Sequence, residues 1–341
     1  MKGKITFVAV GQAAGNIGRL LEREGYTVLC VNTSQEDLDT LEDVKFKYHI
    51  PKGEGCNKDR HKAKQLVIDD FDNIASEIDS KAPAEGMVFV IFASGGGTGS
   101  GAGPMLADLL IDEGRAVGVI TVIPAPGESV KSQINSYECF TELEGIGGTG
   151  ACFIIDNARG EKMALNREFV DAFTGFLEIP GRDRSVEGNI DKAEVMETLK
   201  AHGMAVVACS SGQESADLIQ VVKESPLAPI EPDRAVKYIA ASFGGNAKMA
   251  DMEKAFGTPV DNFQTFGSSG SSCCISGLSY PRERLDAVYQ QAVGSREAIE
   301  KSLAAAREAG LKKGVNFLAE LEPRKEERKR QSKRDIMGKY L

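Results

Sequence analysis

An apolar, strand-like run from Met87 to Ala93 passes directly into Ser94-Gly95-Gly96-Gly97-Thr98-Gly99-Ser100-Gly101-Ala102-Gly103-Pro104, with five glycines in the seven residues from Gly95 to Gly101. Glycine is costly inside helices and strands. A run this dense after a strand therefore marks a place where the backbone turns tightly and another group comes close. The residues from Pro104 onward read as a helix, and the unpaired amides at a helix start, free of Cβ interference, make an anion site. The helix end itself contributes only about 0.3 to 2 kcal/mol, so several amides must act together, with the Thr98 and Ser100 hydroxyls as further donors.

A second loop, Gly11-Gln12-Ala13-Ala14-Gly15-Asn16-Ile17-Gly18, also leaves a strand and opens a helix. Its spacing is GxxxGxxG, not the GxGxxG of dinucleotide enzymes, and the next strand ends in Asn32 rather than in a ribose-binding acid. A nicotinamide dehydrogenase is disfavoured on both counts. The Gly95 run lacks GxxxxGK[ST], so the P-loop reading fails for want of its lysine. Two phosphate loops on one sheet point to a nucleoside triphosphate.

Short apolar runs at Ile5 to Val10, Thr27 to Val31, Met87 to Phe92, Ala116 to Ile123 and Cys152 to Ile155 alternate with amphipathic stretches. That is the pattern of a parallel α/β sheet, with helices expected to begin near Gly15, Asn57, Gly99, Glu128 and Asn166. Phe169, Val170, Phe173, Phe176 and Leu177 share one helical face, predicting a core helix from Asn166 to Ile179. A second, smaller α/β domain is expected from near Ala201, through Met204 to Cys209 and on to SSCCISGL, with one or two helices from Arg284 to about Leu321. The expected layout is a nucleotide domain over 1–165, core helix and following loop over 166–200, second domain over 201–283, C-terminal helices over 284–322 and a basic tail over 323–341.

At 341 residues, two domains are the ordinary expectation. No apolar run approaches the roughly 20 residues that cross a bilayer, and the first residues read as a strand rather than a signal peptide. A cytoplasmic protein without membrane contact, its seven cysteines reduced, is expected. Cys273 and Cys274 read as part of a buried strand, and no metal-ligand spacing stands out. The chain carries a net charge of −9, yet the segment from Arg324 holds eight Lys or Arg against three acids. An acidic body disfavours direct binding of nucleic acid outside that tail.

GGGTGSGAGP, from Gly95 to Pro104, closely resembles the signature of the tubulin and FtsZ superfamily of GTPases. Gly11-Gln12 with Gly15-Asn16 resembles its first loop, Asn32-Thr33-Ser34 the loop after the second strand, and Gly53-Glu54-Gly55-Cys56-Asn57 a loop that reaches the γ-phosphate. Pro124 to Glu128 resembles the ribose loop, with Glu128 in the place of the sugar-binding acid. Ser132 stands where the family usually has an arginine. The resemblance implies GTP and GDP as ligands with Mg²⁺, bound through Gly11, Gln12, Ala13, Gly15, Asn16, Asn32, Gly55, Asn57, Gly95, Gly96, Gly97, Thr98, Gly99, Ser100, Glu128, Asn157 and Asn166. Asn16, Asn157 and Asn166 match positions that read guanine; Asn157 is equally turn chemistry, and Asn166 equally a helix cap.

Gly188-Asn189-Ile190-Asp191-Lys192-Ala193-Glu194-Val195 resembles the FtsZ synergy loop. Asn189, Asp191 and Glu194 are thereby implied as the catalytic set, carried into the next subunit's pocket to position the attacking water. Acids near a helix start also favour its dipole whatever their chemistry. Within the superfamily the wording is nearest to the phage and plasmid TubZ branch. This implies a head-to-tail polymer that positions or segregates DNA through a DNA-binding adaptor of the TubR kind, bound by the basic tail. An FtsZ-type division ring is the alternative, but MGKYL is a poor membrane-anchor peptide, and a non-hydrolysing scaffold would not need Asp191 and Glu194.

Overall fold

The computed structural model describes residues 1–232, 235–267 and 270–308. Along the chain run β1 (Ile5–Val10), α1 (Gln12–Arg23), β2 (Thr27–Asn32), α2 (Gln35–Asp39), β3 (Phe46–His49), α3 (Arg60–Asp79), β4 (Met87–Ala93), α4 (Thr98–Asp112), β5 (Ala116–Ile123), α5 (Val130–Glu144) and β6 (Ala151–Asp156). A 3₁₀ turn (Asn157–Arg159) leads to α6 (Lys162–Leu177), α7 (Ile179–Arg182), α8 (Lys192–Lys200), β7 (Gly203–Ser210), α9 (Ser215–Glu224), β8 (Val236–Phe243), α10 (Met249–Phe256), β9 (Pro259–Phe266), β10 (Ser271–Leu278) and α11 (Arg282–Glu308).

The strands of the described residues form one ten-stranded sheet in the order β3-β2-β1-β4-β5-β6-β7-β10-β8-β9. Pairing is parallel from β3 to β7, and β10 runs antiparallel to both β7 and β8. The strands of the second α/β stretch thus join the first sheet, through the short β6–β7 ladder from Ala151↔Gly203 to Phe153↔Ala205. β1, β4 and β6 are buried almost throughout, as continuous apolar runs covered on both faces must be. Chain order reverses between β1 and β4, and the crevice beyond the carboxyl ends at such a switch point is where open α/β sheets bind ligands.

The core helix is α6, which lays Phe169, Phe173 and Phe176 against the sheet. The Phe173 ring packs edge-on to Phe153, Phe89 and Phe7 at centroid distances of 5.0, 5.5 and 6.1 Å. This helix begins four residues before Asn166. Its N-cap is Glu161, whose carboxylate accepts the Met163 and Ala164 amides, so Asn166 lies in the second turn and caps nothing.

The expected long glycine loop is shorter than the run. α4 already begins at Thr98, so Gly99, Gly101 and Gly103 are helical and serve close packing. A Cβ on Gly101 would lie 2.5 Å from the Arg60 carbonyl, and one on Gly103 would overlap the Phe92 ring. Pro104 cannot donate to the Ser100 carbonyl four residues back; the buried Arg60 guanidinium donates to that carbonyl instead at 3.0 Å, while also pairing with Glu138 and Glu142.

All seven cysteines are free thiols, with Cys273 and Cys274 inside buried β10. Among the described residues no helix is long and apolar enough to cross a membrane. The basic tail and the end of the expected C-terminal helices lie outside the described residues.

Candidate functional site

Helices α2, α3, α5, α6 and α8 are each capped by a side chain at the preceding residue, from Ser34, Asp59, Ser129, Glu161 and Asp191. Helices α1 and α4 are not; α7 and α10 lack a capping side chain too, but α1 and α4 differ from them in starting on glycine. Their caps are Gly11 and Gly97, and no side chain accepts from the first amides of either helix. A capping side chain would fill the space an anion needs, so these two ends are left open to a ligand. They also meet: a Cβ on Gly11, which sits at φ +86°, would lie 3.2 Å from the Gly99 amide nitrogen. Gln12 and Ala13 are exposed, Gly96, Gly97 and Thr98 half-buried, and Gly15, Gly95, Gly99 and Ser100 buried. Two uncapped helix starts thus converge on one spot at the switch point. The Ser100 hydroxyl donates back to the Gly96 carbonyl, so it braces the turn.

A third segment closes over them. Asn32 at the end of β2 accepts the Thr33 and Ser34 amides on its side-chain oxygen, at 2.8 and 3.3 Å, and so shapes the loop. The Thr33 hydroxyl meets the Thr98 hydroxyl at 2.8 Å, tying that loop to the start of α4. Residues 52–58 hold the only non-glycine positive φ angles among the described residues, at Lys52, Asn57 and Lys58. Consecutive left-handed residues at Asn57 and Lys58 are strained for L side chains. They press the loop so close to the glycine run that a Cβ on Gly97 would lie 2.7 Å from the Lys58 nitrogen. The Gly55 amide is bonded to the Thr33 carbonyl at 2.8 Å. Lys58 then reaches across the run, donating to the Ser129 and Ser132 hydroxyls at 2.6 and 2.7 Å, with no carboxylate partner among the described residues. It brings a cation to the position where Ser132 replaced one, and sequence reading missed it. Only the left-handed backbone carries it there.

Beyond β5 and β6 lie the two loops expected at sugar and base. Half-buried Glu128 accepts from the Ala125 amide at 3.0 Å, Lys162 at 2.9 Å and Asn157 at 3.3 Å. Burial pushes its carboxyl up, but Lys162, the Ala125 amide and Asn157 outweigh that and hold it below the usual carboxylate range. Asn166 is 7% exposed and its amide is bonded to no other described residue, which leaves donor and acceptor for a ligand edge. Asn16, on α1, is half-buried and likewise unbonded. Gly11, Gln12, Ala13, Gly15, Asn16, Asn32, Gly55, Asn57, the Gly95–Ser100 run, Glu128, Asn157 and Asn166 all fall on segments that follow the carboxyl ends of β1 to β6.

Asn189, Asp191 and Glu194 do not join them. The core helix starts beside the base loop and, with 16 residues, carries the chain about 24 Å to the other end of the sheet. There Glu178 pairs with Lys2 and Lys192 acts on the Met1 amino group, at the amino end of β1. Asp191 and Glu194 make a capping box on α8: one Asp191 oxygen accepts the Ala193 and Glu194 amides at 2.7 and 2.9 Å, and Glu194 accepts the Asp191 amide at 2.8 Å. The dipole-favouring reading of these acids is therefore real, and each keeps a second oxygen outside the box. Asn189 and Val186 in the same loop are exposed.

A cavity of about 540 Å³ lies at the amino ends of β4 and β5, lined by Asp72, Asp79 and Glu113, with its Arg115 paired to Asp79. Its acids suit no phosphate. Among the described residues no three His, Cys, Asp or Glu side chains gather to hold a metal by themselves.

Residues 4–164 match the tubulin/FtsZ family, GTPase domain. Over 288 residues, 82% of this chain and 80% of its relative, the sequence is 28% identical to the tubulin-like protein TubZ of Clostridium botulinum C phage. The solved TubZ of C. botulinum phage c-st has the same fold, with a TM-score of 0.79 at 24% identity over 87% of this chain and all of that one. So has TubZ of Bacillus thuringiensis serovar israelensis, solved as a GTPγS-form protofilament, at 0.76 and 14% identity over 89% and 95%.

Proposed function

We propose that this chain, a GTPase whose residues 4–164 are a tubulin/FtsZ-family domain, polymerises head to tail and hydrolyses GTP at the contact between subunits. The observation that carries the reading is the separation of the two halves of the chemistry. The open helix ends sit at the carboxyl edge of the sheet, and Asp191 and Glu194 at the opposite edge. No single chain can bring both to one phosphate, whereas stacking a second copy does. Such a contact joins unlike surfaces and propagates rather than closes.

In this reading the amides of α1 and α4 and the Lys58 ammonium neutralise the phosphates, while Glu128, Asn157, Asn166 and Asn16 hold sugar and guanine. Carboxylates facing a triphosphate would repel it, so the next subunit's Asp191 and Glu194 act on the attacking water, with Asn189 orienting it. Mg²⁺ suits a site without a protein cage, since it enters on the phosphates with one or two protein contacts and spreads their charge. The first 165 residues then work as the nucleotide unit and the strands after residue 201 as the assembly unit.

The closing experiment is sedimentation with GTP, GDP and ATP across a protein concentration series. GTP-specific pelleting with turnover per subunit rising steeply above a threshold is expected. Equal turnover in dilute monomer and in polymer overturns the shared site. We further assign the polymer to segregation of plasmid or phage DNA in the cytoplasm. A TubR-like adaptor binds the basic tail, whose net charge is opposite to the −14 of the body. Removing the chain after Pro323 is expected to leave assembly intact and abolish co-pelleting of an adaptor–DNA complex. Failure of the shortened chain to assemble would move the tail to the filament contact.

A further inference from the structure

We propose that Arg284, in the first turn of the C-terminal helix, is a positioning residue for nucleotide recognition that clamps the ribose and base loops together and ties their occupancy to α11. The inference rests on the nucleotide reading of those two loops. β5 and β6 end side by side, with Ile123 in register with Asp156, and the loops that leave them could part independently. Arg284 spans both. Its Nε donates to Asp156 Oδ2 at 2.8 Å, and its Nη2 donates to Asp156 Oδ1 at 2.9 Å and to the Pro124 carbonyl at 2.8 Å. The pair is nearly dry, with the two side chains 12% and 4% exposed.

Asp156 passes the constraint on. Its Oδ1 also accepts the Ala158 amide at 3.0 Å, closing the 3₁₀ turn that holds Asn157, and Asn157 in turn donates to Glu128 at 3.3 Å. Further along the same face of α11, Val288 is buried and Gln291 donates to the Pro126 carbonyl, in the ribose loop itself. These residues recur at helical spacing. Tyr289 packs on Tyr137 of α5 with ring centroids 4.7 Å apart, fixing the helix beside the loops it holds. A guanidinium holds a carboxylate by two parallel bonds in a rigid plane and has a donor left over; an ammonium offers a point charge without that geometry. Among the described residues, every Arg284 hydrogen bond is to the sugar and base side, and none is to the phosphate loops. Because linkage is reciprocal, a nucleotide that settles the two loops also settles α11, and a partner that moves α11 loosens the nucleotide.

The test titrates GDP into dilute, unassembled protein. Binding by the wild type checks the nucleotide reading, and its absence would count against that reading alone. Removing one partner strands a buried charge, so the main variant is the matched pair Asp156→Asn with Arg284→Met, which keeps an acceptor for the Ala158 amide. GDP affinity is expected to fall at least about 10-fold. Amide exchange over residues 282–292, slowed by GDP in the wild type, should no longer respond. Arg284→Lys, with the charge kept, gives a second measurement should the pair variant unfold, and is expected to remain weakened. Wild-type GDP affinity in a folded pair variant or in Arg284→Lys overturns the clamp; GDP-dependent slowing of α11 exchange in either overturns the coupling.

Discussion

At the scale of single residues the site depends on what is missing. Gly97 occupies the cap of α4 with backbone, and any Cβ there meets the Lys58 nitrogen and Cα at 2.7 and 2.8 Å. Main chain cannot yield as a flexible side chain does. Gly97→Val, alone or with Thr98→Ala, is expected to abolish measurable GTP binding by titration calorimetry while leaving the far-ultraviolet circular dichroism of the folded sheet; wild-type affinity in a folded variant contradicts the assignment. Lys58 makes the complementary case, since among the described residues its ammonium is held only by the Ser129 and Ser132 hydroxyls. Charge-assisted bonds to phosphate are roughly twice as strong as neutral ones. Lys58→Gln should therefore weaken GTP about 10-fold, and GTP more than GDP. An equal effect on both nucleotides would confine Lys58 to bracing the loop.

At the scale of elements, α8 is where the proposed polymer chemistry can be separated from stability, because its two acids already form a capping box within the subunit. Asp191 caps α8, and replacing such a cap by alanine costs about 1 kcal/mol, whereas asparagine caps as well as aspartate. Asp191→Asn thus separates the two roles. Its melting temperature and GTP affinity should match the wild type while polymer turnover drops by orders of magnitude and filaments persist, because GDP subunits form slowly. Asp191→Ala should show the same catalytic loss together with lower stability. Undiminished turnover in Asp191→Asn would leave the acid as a helix cap and nothing more.

At the scale of the whole molecule, one continuous sheet holds the phosphate loops at one edge and the capping box at the other, with the Phe169–Phe173–Phe176 helix as the strut between them. The same core governs the thiols. Burial pushes Cys30, Cys139 and Cys152 up to about 12 and raises Cys273 and Cys274 as well. Thiolate is the reactive form, so these five should resist iodoacetamide at pH 8 in the native protein and label on unfolding, as mass spectrometry of the alkylated chain would read. Rapid native labelling of Cys273 or Cys274 would mean that β10 opens.

Much of the site was legible in the amino-acid order because its requirements are local. A backbone that must approach an anion shows itself as glycine after a strand, so the Gly11 and Gly95 loops and the apolar strands could be read without tertiary contacts, whereas Asn32 and Glu128 entered as candidates only through the family resemblance. The glycine-to-helix step could also be read, though α4 starts at Thr98 and α6 before Asn166, since helix bounds depend on which amide finds a partner. What the order of residues could not contain were pairings across the chain. Lys58 meets Ser132 from 74 residues away and Arg284 meets Asp156 from 128, and no periodicity marks a lone charged side chain whose partner is set by strand order. Nor does the short spacing of Asp191 and Glu194 reveal at which edge of the sheet they lie. Only the packed core helix decides that, by carrying them away from the phosphates their own chain binds.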